Sequence, residues 1–234
     1  MEKRKMQARG ELALIPLIFV NSFAVVLMLY SGSGISAISS VPYAFNQVFP
    51  RISLGTWTYI FQALLVAALF ILRKKIHLPY LLSFVVGFFF GIAVDLHEAW
   101  IGLLPKGIFF QILYFCISYL LICFGIALAN RCKMPIVPTD LFPREFSRIT
   151  GLAYSRVKIC FDVSCLALTV FMTWTFLGYV KGLGIGTVLA AFTMGKVIGW
   201  IGDWMERHVE FVSCMENRDL KRKRYKKQVS FGRI

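Results

Sequence analysis

Charge is scarce in this chain, and acid scarcer still. Asp and Glu number 12 among 234 residues, against 26 Lys and Arg, and the four charged types make up only 16% of the sequence. Hydrophobic residues account for 58%, more apolar surface than a domain of this size can hide from water, so a water-soluble globule is excluded. The six cysteines, at 116, 123, 132, 160, 165 and 214, contain no C-x-x-C pair. Neither a redox motif nor a zinc site is suggested, and free thiols are expected. No H-E-x-x-H sequence is present, and Gly182, Gly184 and Gly186 follow no strand, which removes a dinucleotide-binding reading. With no legible nucleophile and base, an enzyme is not expected, and no catalytic residue, metal or cofactor is assigned.

The apolar residues gather into runs of about 18 to 22, the length at which a helix rising about 1.5 Å per residue crosses the roughly 30 Å hydrocarbon layer of a bilayer. Helices are predicted at roughly 11–30, 54–72, 79–98, 108–129, 157–178 and 183–203. The first follows Lys3-Arg4-Lys5 as a signal peptide would. Its apolar run is long for one and no small-x-small cleavage site follows, so it is kept as a span. The expected fold is all-α, a polytopic transmembrane bundle of about six helices. Residues 1–10 form a cytoplasmic segment, 11–203 a single transmembrane domain and 204–234 a basic cytoplasmic tail.

The formal charge of +14 would suggest nucleic acid in a soluble protein. Its distribution says otherwise. Four basic residues precede the first span, three form Arg73-Lys74-Lys75, six lie between Arg131 and Lys158, and nine follow from Arg207. The alternate loops hold only Arg51, Lys106 and Lys181, and Lys196 falls inside the last span. Such asymmetry places both termini in the cytoplasm by the positive-inside rule and agrees with an even number of spans. The run from Lys221 to Lys227 is then a topological anchor that also suits anionic lipid.

Two segments resemble each other. Phe45-x-x-x-Phe49-x-Arg51-Ile52-Ser53 precedes the second span, and Phe142-x-x-x-Phe146-x-Arg148-Ile149-Thr150 precedes the fifth, 97 positions later. A proline stands before each block, Pro42 and Pro138. The third and sixth spans match at an offset of 104 through Phe88 with Phe192, Gly91 with Gly195 and Trp100 with Trp204. Two halves of three helices follow, about 11–100 and 108–203. Because three is odd, the second half enters the membrane from the opposite side, an inverted repeat of the kind secondary transporters use to build a central substrate site. The stretch 35–49 is too short to span and too apolar for a solvated loop, and 135–148 stands in the matching place of the second half. They are expected to be either interfacial helices or re-entrant segments entering from opposite faces to line a cavity.

These residues also suggest a family. The run Gly34-Ile35-Ser36, then Pro42, then Arg51 to Thr56, followed in the second half by Pro138-Thr139-Asp140, Thr150-Gly151, Lys158-x-x-x-Asp162, Gly184-x-Gly186-Thr187 and Gly195, resembles the YczE/YyaS/YitT group of bacterial membrane proteins over most of residues 12–203. The first half departs from that pattern, since Tyr43 and Ala44 follow Pro42 where the family often has an aspartate. The resemblance implies a protein of the bacterial cytoplasmic membrane, often described as transporter-like, and supplies no substrate.

Ionisable side chains within spans are costly and normally face the protein interior. Asp162, four residues after Lys158, shares a helical face with it, so the two form either a neutralising salt bridge or a coupling site for a proton or cation. Asp95, His97 and Glu98 cluster near the end of the third span, but His97 points away from the other two, and a solvated helix end is the ordinary reading. Lys196, without a local acidic partner, either snorkels to the interface or pairs with Asp162 or an anionic substrate. Asp140 and the two prolines complete the candidate set. Gly87, Gly91, Gly195 and Gly199 form small-x-x-x-small pairs suited to close helix packing. Two functions stay open: a secondary transporter or permease-like protein for a small molecule or ion, and an accessory or regulatory membrane protein docking a partner through its basic loop and tail. The expected partners are the lipid bilayer, that substrate and, as an option, further copies of the chain.

Overall fold

A computed structural model describes residues 6–74, 78–131 and 136–212. Lys3 to Lys5, Lys75, Cys132, Cys214 and the basic run 221–227 lie outside the described residues. Among the described residues eight helices follow one another: α1 (Gly10–Tyr30), α2 (Ala37–Val48), α3 (Leu54–Arg73), α4 (Leu78–Ile101), α5 (Ile108–Arg131), α6 (Pro138–Thr150), α7 (Tyr154–Leu177) and α8 (Ile185–His208). Local sequence explains several boundaries. Ser53 caps α3 by accepting the Thr56 N–H at 3.1 Å, and Pro138 opens α6 where its missing N–H is no loss.

Helices α3, α4, α5, α7 and α8 are long and apolar enough to cross a bilayer, while the described apolar part of α1 is the shorter Ile15–Tyr30. The surface is apolar and part of the interior polar, the reverse of a soluble domain. Leu64, Phe89, Ile112, Phe171 and Trp200 point outward, whereas Asn21, Gln62, Lys158, Asp162, Thr169 and Thr187 are buried. The chain is therefore a multi-pass integral membrane protein.

At the centre α1 packs on α5, flanked by α4 against α1 and by α8 against α5. Helix α3 packs on α4, and α7 on α8. The two short helices cross over: α2 lies against α7, and α6 against α3. Ser40 of α2 shares a 2.7 Å hydrogen bond with Thr169, both fully buried, so α2 enters the bundle and does not lie on its surface. One parallel ladder, β1 (Met6–Arg9) with β2 (Val209–Val212), brings the start of α1 and the end of α8 to the same end of the molecule.

Close backbone approach occurs where the sequence offers a small residue. A Cβ at Gly91 would stand 2.7 Å from the Gly55 carbonyl oxygen, and one at Gly195 3.3 Å from that of Ser155. Gly87 leaves room for Gln62 and Pro138. Gly199 is the exception to the packing expectation, because nothing lies within 4 Å of a Cβ built there. The prolines also need re-registering. Pro42 is the sixth residue of α2, the place Pro143 holds in α6, whereas Pro138 is the first residue of its helix. Matching by phenylalanine spacing had paired it with Pro42.

Candidate functional site

The N-terminal ends of α2 and α6 converge on a small cavity of about 40 Å³. Ser36, Ile38, Ser39 and Pro42 line it from α2 and its entrance, and Thr139 and Asp140 from α6. Asn21 of α1, Thr58 of α3 and Lys158 of α7 complete its polar wall; Phe90, Ile122 and Met194 are among the apolar remainder. Neither short helix is capped by a side chain, for Ser36 turns its hydroxyl to Ser39 at 2.8 Å and the residue before α6 is Val137. The positive ends of both helix dipoles lie beside the cavity, but only α2 offers several unpaired N–H groups there: α6 starts with a proline, and the Asp140 and Leu141 N–H groups both donate to Val137 O at 3.0 Å.

Lys158 and Asp162 form the strongest polar contact near it. The ammonium donates to both carboxylate oxygens at 2.6 Å, with the side chains 3% and 1% exposed. Asp140, in the first turn of α6, is also buried. Loss of hydration pushes its carboxyl up to about 6, reinforced by Asp162 and opposed by Lys158 and Arg144. Asn21 is 6% exposed and its Oδ1 has no hydrogen-bond partner. Gln62, fully buried, leaves both amide atoms unpaired. Unpartnered amides at such depth are uncommon and call for a ligand or water.

Further along α6, Glu145 gathers a charged cluster. It accepts from Arg73, Tyr80 and Arg148, each at 2.8 Å. Burial disfavours its charge, but the Tyr80 hydroxyl and the surrounding guanidinium groups outweigh burial and hold the carboxyl below its usual range. This cluster ties α6 to α3 and α4.

A family of unknown function, DUF6198, matches residues 8–203, which include every residue of the cavity wall. The chain belongs to the DUF6198 family. No curated protein and no solved structure matches it.

The DUF6198 fold brings together some of the residues singled out from sequence and separates others. Asp140, Lys158 and Pro42 line the cavity, with Asp162 behind Lys158 and Pro138 beside Thr139. Lys196 does not join them: it is exposed on the outer face of α8, between buried Gly195 and half-buried Val197. Asp95 is also elsewhere. Its oxygens accept from the Ser53 hydroxyl and the Gly55 N–H, each at 2.7 Å, pinning α4 to the start of α3. His97 is held separately by Trp100 and Phe23. Asp95→Ala is accordingly expected to lower stability by about 1 kcal/mol, the size of a lost helix cap, with Asp95→Asn retaining part of it. Thermal unfolding in detergent checks this, and an unchanged midpoint would remove Asp95 from the helix-start role.

Sequence reasoning about charges passed over Asn21, Gln62, Ser36, Ser39 and Thr58. Asn21 and Gln62 carry a usable signal, each a lone amide inside an otherwise apolar run. The four cysteines among the described residues, 116, 123, 160 and 165, are free thiols, as expected.

Proposed function

We infer that this protein is a secondary transporter or permease-like protein for a small molecule or ion, and that its substrate passes through the cavity between the tips of α2 and α6. The observation that carries this reading is the meeting of two half-length helices, neither capped by a side chain, at a small cavity lined in part by polar side chains inside a membrane bundle. Non-spanning backbone is tolerated at membrane depth where it lines such a space. In this reading α1 also spans, giving six crossings, and the two halves form an inverted repeat.

Several features support the repeat. Each half runs long, short, long, long, and most packing pairs have a counterpart: α1 with α4 and α5 with α8, α2 with α7 and α6 with α3. The close approach of Gly91 to Gly55 is echoed by Gly195 and Ser155. The distribution of Lys and Arg supports placing the joined termini on the cytoplasmic side of a bacterial membrane. The resemblance to the YczE/YyaS/YitT group agrees with that location. Lipid, the substrate and further copies of the chain are the proposed partners, and nucleic acid is not among them.

Cysteine accessibility tests the proposal. Ser39→Cys and Thr139→Cys, introduced singly where the native cysteines have been removed, are expected to react with membrane-impermeant thiol reagents, with sidedness that shifts when the protein is biased inward or outward. Protection of both positions from both sides would overturn the transport pathway and favour an accessory protein acting through its basic loop and tail.

A further inference from the structure

We propose that the central cavity is entered sideways from the bilayer, between α1 and α4. Its ligand is a single-chain amphiphile whose tail lies in the groove there and whose small hydrogen-bond-donating head, an amine or a hydroxyl, reaches Asp140. This deepens the transporter reading by naming a substrate class for the same site, and it rests on that reading only for the claim that the ligand moves.

Three spaces lie in a row. On the lipid side α1 and α4 leave an apolar groove of about 460 Å³, walled by Ile15 and Phe19 on one helix and by Val85, Phe89, Ile92 and Leu96 on the other. That is the size of an ordinary small-molecule site. Between Val85 and Leu96 the groove follows α4 for about 17 Å at about 1.5 Å per residue, which holds an extended chain of about a dozen carbons at ~1.2 Å per bond. Ile18 and Val86 border this groove and also a second chamber of about 10 Å³. Asn21 and Asp140 border that chamber and the central cavity in turn. From groove to Asp140 the path thus crosses one apolar barrier, the buried side chains of Ile18 and Val86.

The inner end of the path asks for a donor. Asp140 is 8% exposed and faces both inner spaces. Among the described residues its carboxyl group accepts no hydrogen bond, and Lys158, Asp162 and Arg144 act on it through charge alone. A buried carboxyl group without a donor is uncommon and calls for one. Lys158 cannot turn to it without leaving Asp162, to which it donates twice at 2.6 Å. Arg144 is drawn toward Glu145, with its Nε 3.9 Å from that carboxylate. A head that carries an N–H or O–H supplies the missing partner. A carboxylate or phosphate head brings only further acceptors and like charge, and an alkane brings nothing.

Size narrows the ligand further. The chamber has room for about one water and the central cavity, at about 40 Å³, for roughly three. A glycerophosphate headgroup fits neither, so the occupant is a single-chain amphiphile and not a membrane phospholipid. The barrier also has a weak point beside it. Pro16 lies inside α1 and gives no N–H to the helical ladder, so α1 can bend next to Ile18 at less cost than an unbroken helix.

The test uses full-length protein in lipid nanodiscs and a dodecylamine that carries a photoactivatable diazirine at the far end of its chain. Saturable labelling is expected within 15–19 and 85–96, read by peptide mass spectrometry. Unlabelled dodecylamine and dodecanol are expected to compete at least about tenfold better than lauric acid or dodecane, the effect of a hydrogen bond to a buried carboxylate. Asp140→Leu is expected to erase that preference while the groove still labels. The four competitors on the wild type decide the matter if that variant fails to fold. Ile92→Trp, at a half-exposed position that tolerates bulk, is expected to fill the groove and cut labelling several-fold. Equal competition by all four compounds would overturn the proposal by reducing the groove to a seat for bilayer tails. Preference for lauric acid, or a donor preference that survives in Asp140→Leu, would overturn the assigned head. Labelling absent from both segments, or unchanged in Ile92→Trp, would overturn the entrance. Head-selective binding without transfer across proteoliposomes would uphold the proposal and sink the transporter reading alone.

Discussion

Lys158→Met is expected to cost about 3–5 kcal/mol of stability, the range for removing one partner of a buried ion pair. The loss comes less from the missing attraction than from what remains. Asp162 is 1% exposed and its two oxygens accept from Lys158 alone among the described contacts. Without the ammonium it must stay charged and unpaired or take up a proton. The double variant Lys158→Met with Asp162→Leu removes both charges and is expected to regain most of the stability, because a neutral pair of similar volume packs about as well as a buried salt bridge. Reversible unfolding in mixed detergent measures both. A single variant that loses less than about 1 kcal/mol would show the pair to be weakly coupled to the fold. The double variant separates structure from function, since it should fold while losing the positive charge on the cavity wall.

Gly34→Val is expected to be the second severe change. Gly34 has φ +104°, a region L side chains rarely adopt, and a Cβ there would collide with the Thr187 hydroxyl and stand 2.6 Å from the Gly184 nitrogen. The neighbouring backbone is bonded in place, with the Ile35 N–H donating to Gly182 O and the Gly186 N–H to Ser33 O, both at 3.1 Å. The chain entering α2 is thus clamped against the start of α8 and has no room to yield. Backbone strain of about 1–3 kcal/mol and overpacking of similar size add, so little folded protein should be recovered by size-exclusion chromatography. Gly199→Ala is the control. With open space around it, that change is expected to be neutral or to stabilise by up to about 1 kcal/mol. Equal yields from the two variants would discount the clamp.

How much was legible beforehand depended on which force wrote the signal. Span length is set by bilayer thickness, and each of the six expected helices falls within a few residues of an observed one, with α8 running on to His208. The short α2 was visible as a stretch too apolar for a loop, and α6, which carries four charged residues, only through its match to the segment that holds α2. The Lys158–Asp162 pair followed from i, i+4 spacing alone. Helix rotation was not legible, because lipid and protein interior are both apolar and a span has no single water-facing side to mark. That is why Lys196 could be imagined facing inward although it faces outward, and why Gly199 looked like a packing residue. Most of the cavity's polar lining was missed for a related reason. The polar part of the wall comes mostly from uncharged Asn21, Ser36, Ser39, Thr58 and Thr139, and attention to full charges finds only Asp140 and Lys158.

The crossing of the short helices has a consequence for biosynthesis. Ser40 and its partner Thr169 are separated by 129 residues. At about 5–20 residues per second, the ribosome needs roughly 6–26 s to make that interval. Through that time α2 has been made while the helix that covers it has not. Its polar inner edge must wait inside the insertion machinery or at the membrane surface, which makes the arrival of α7 the step that commits the nascent chain to its final form.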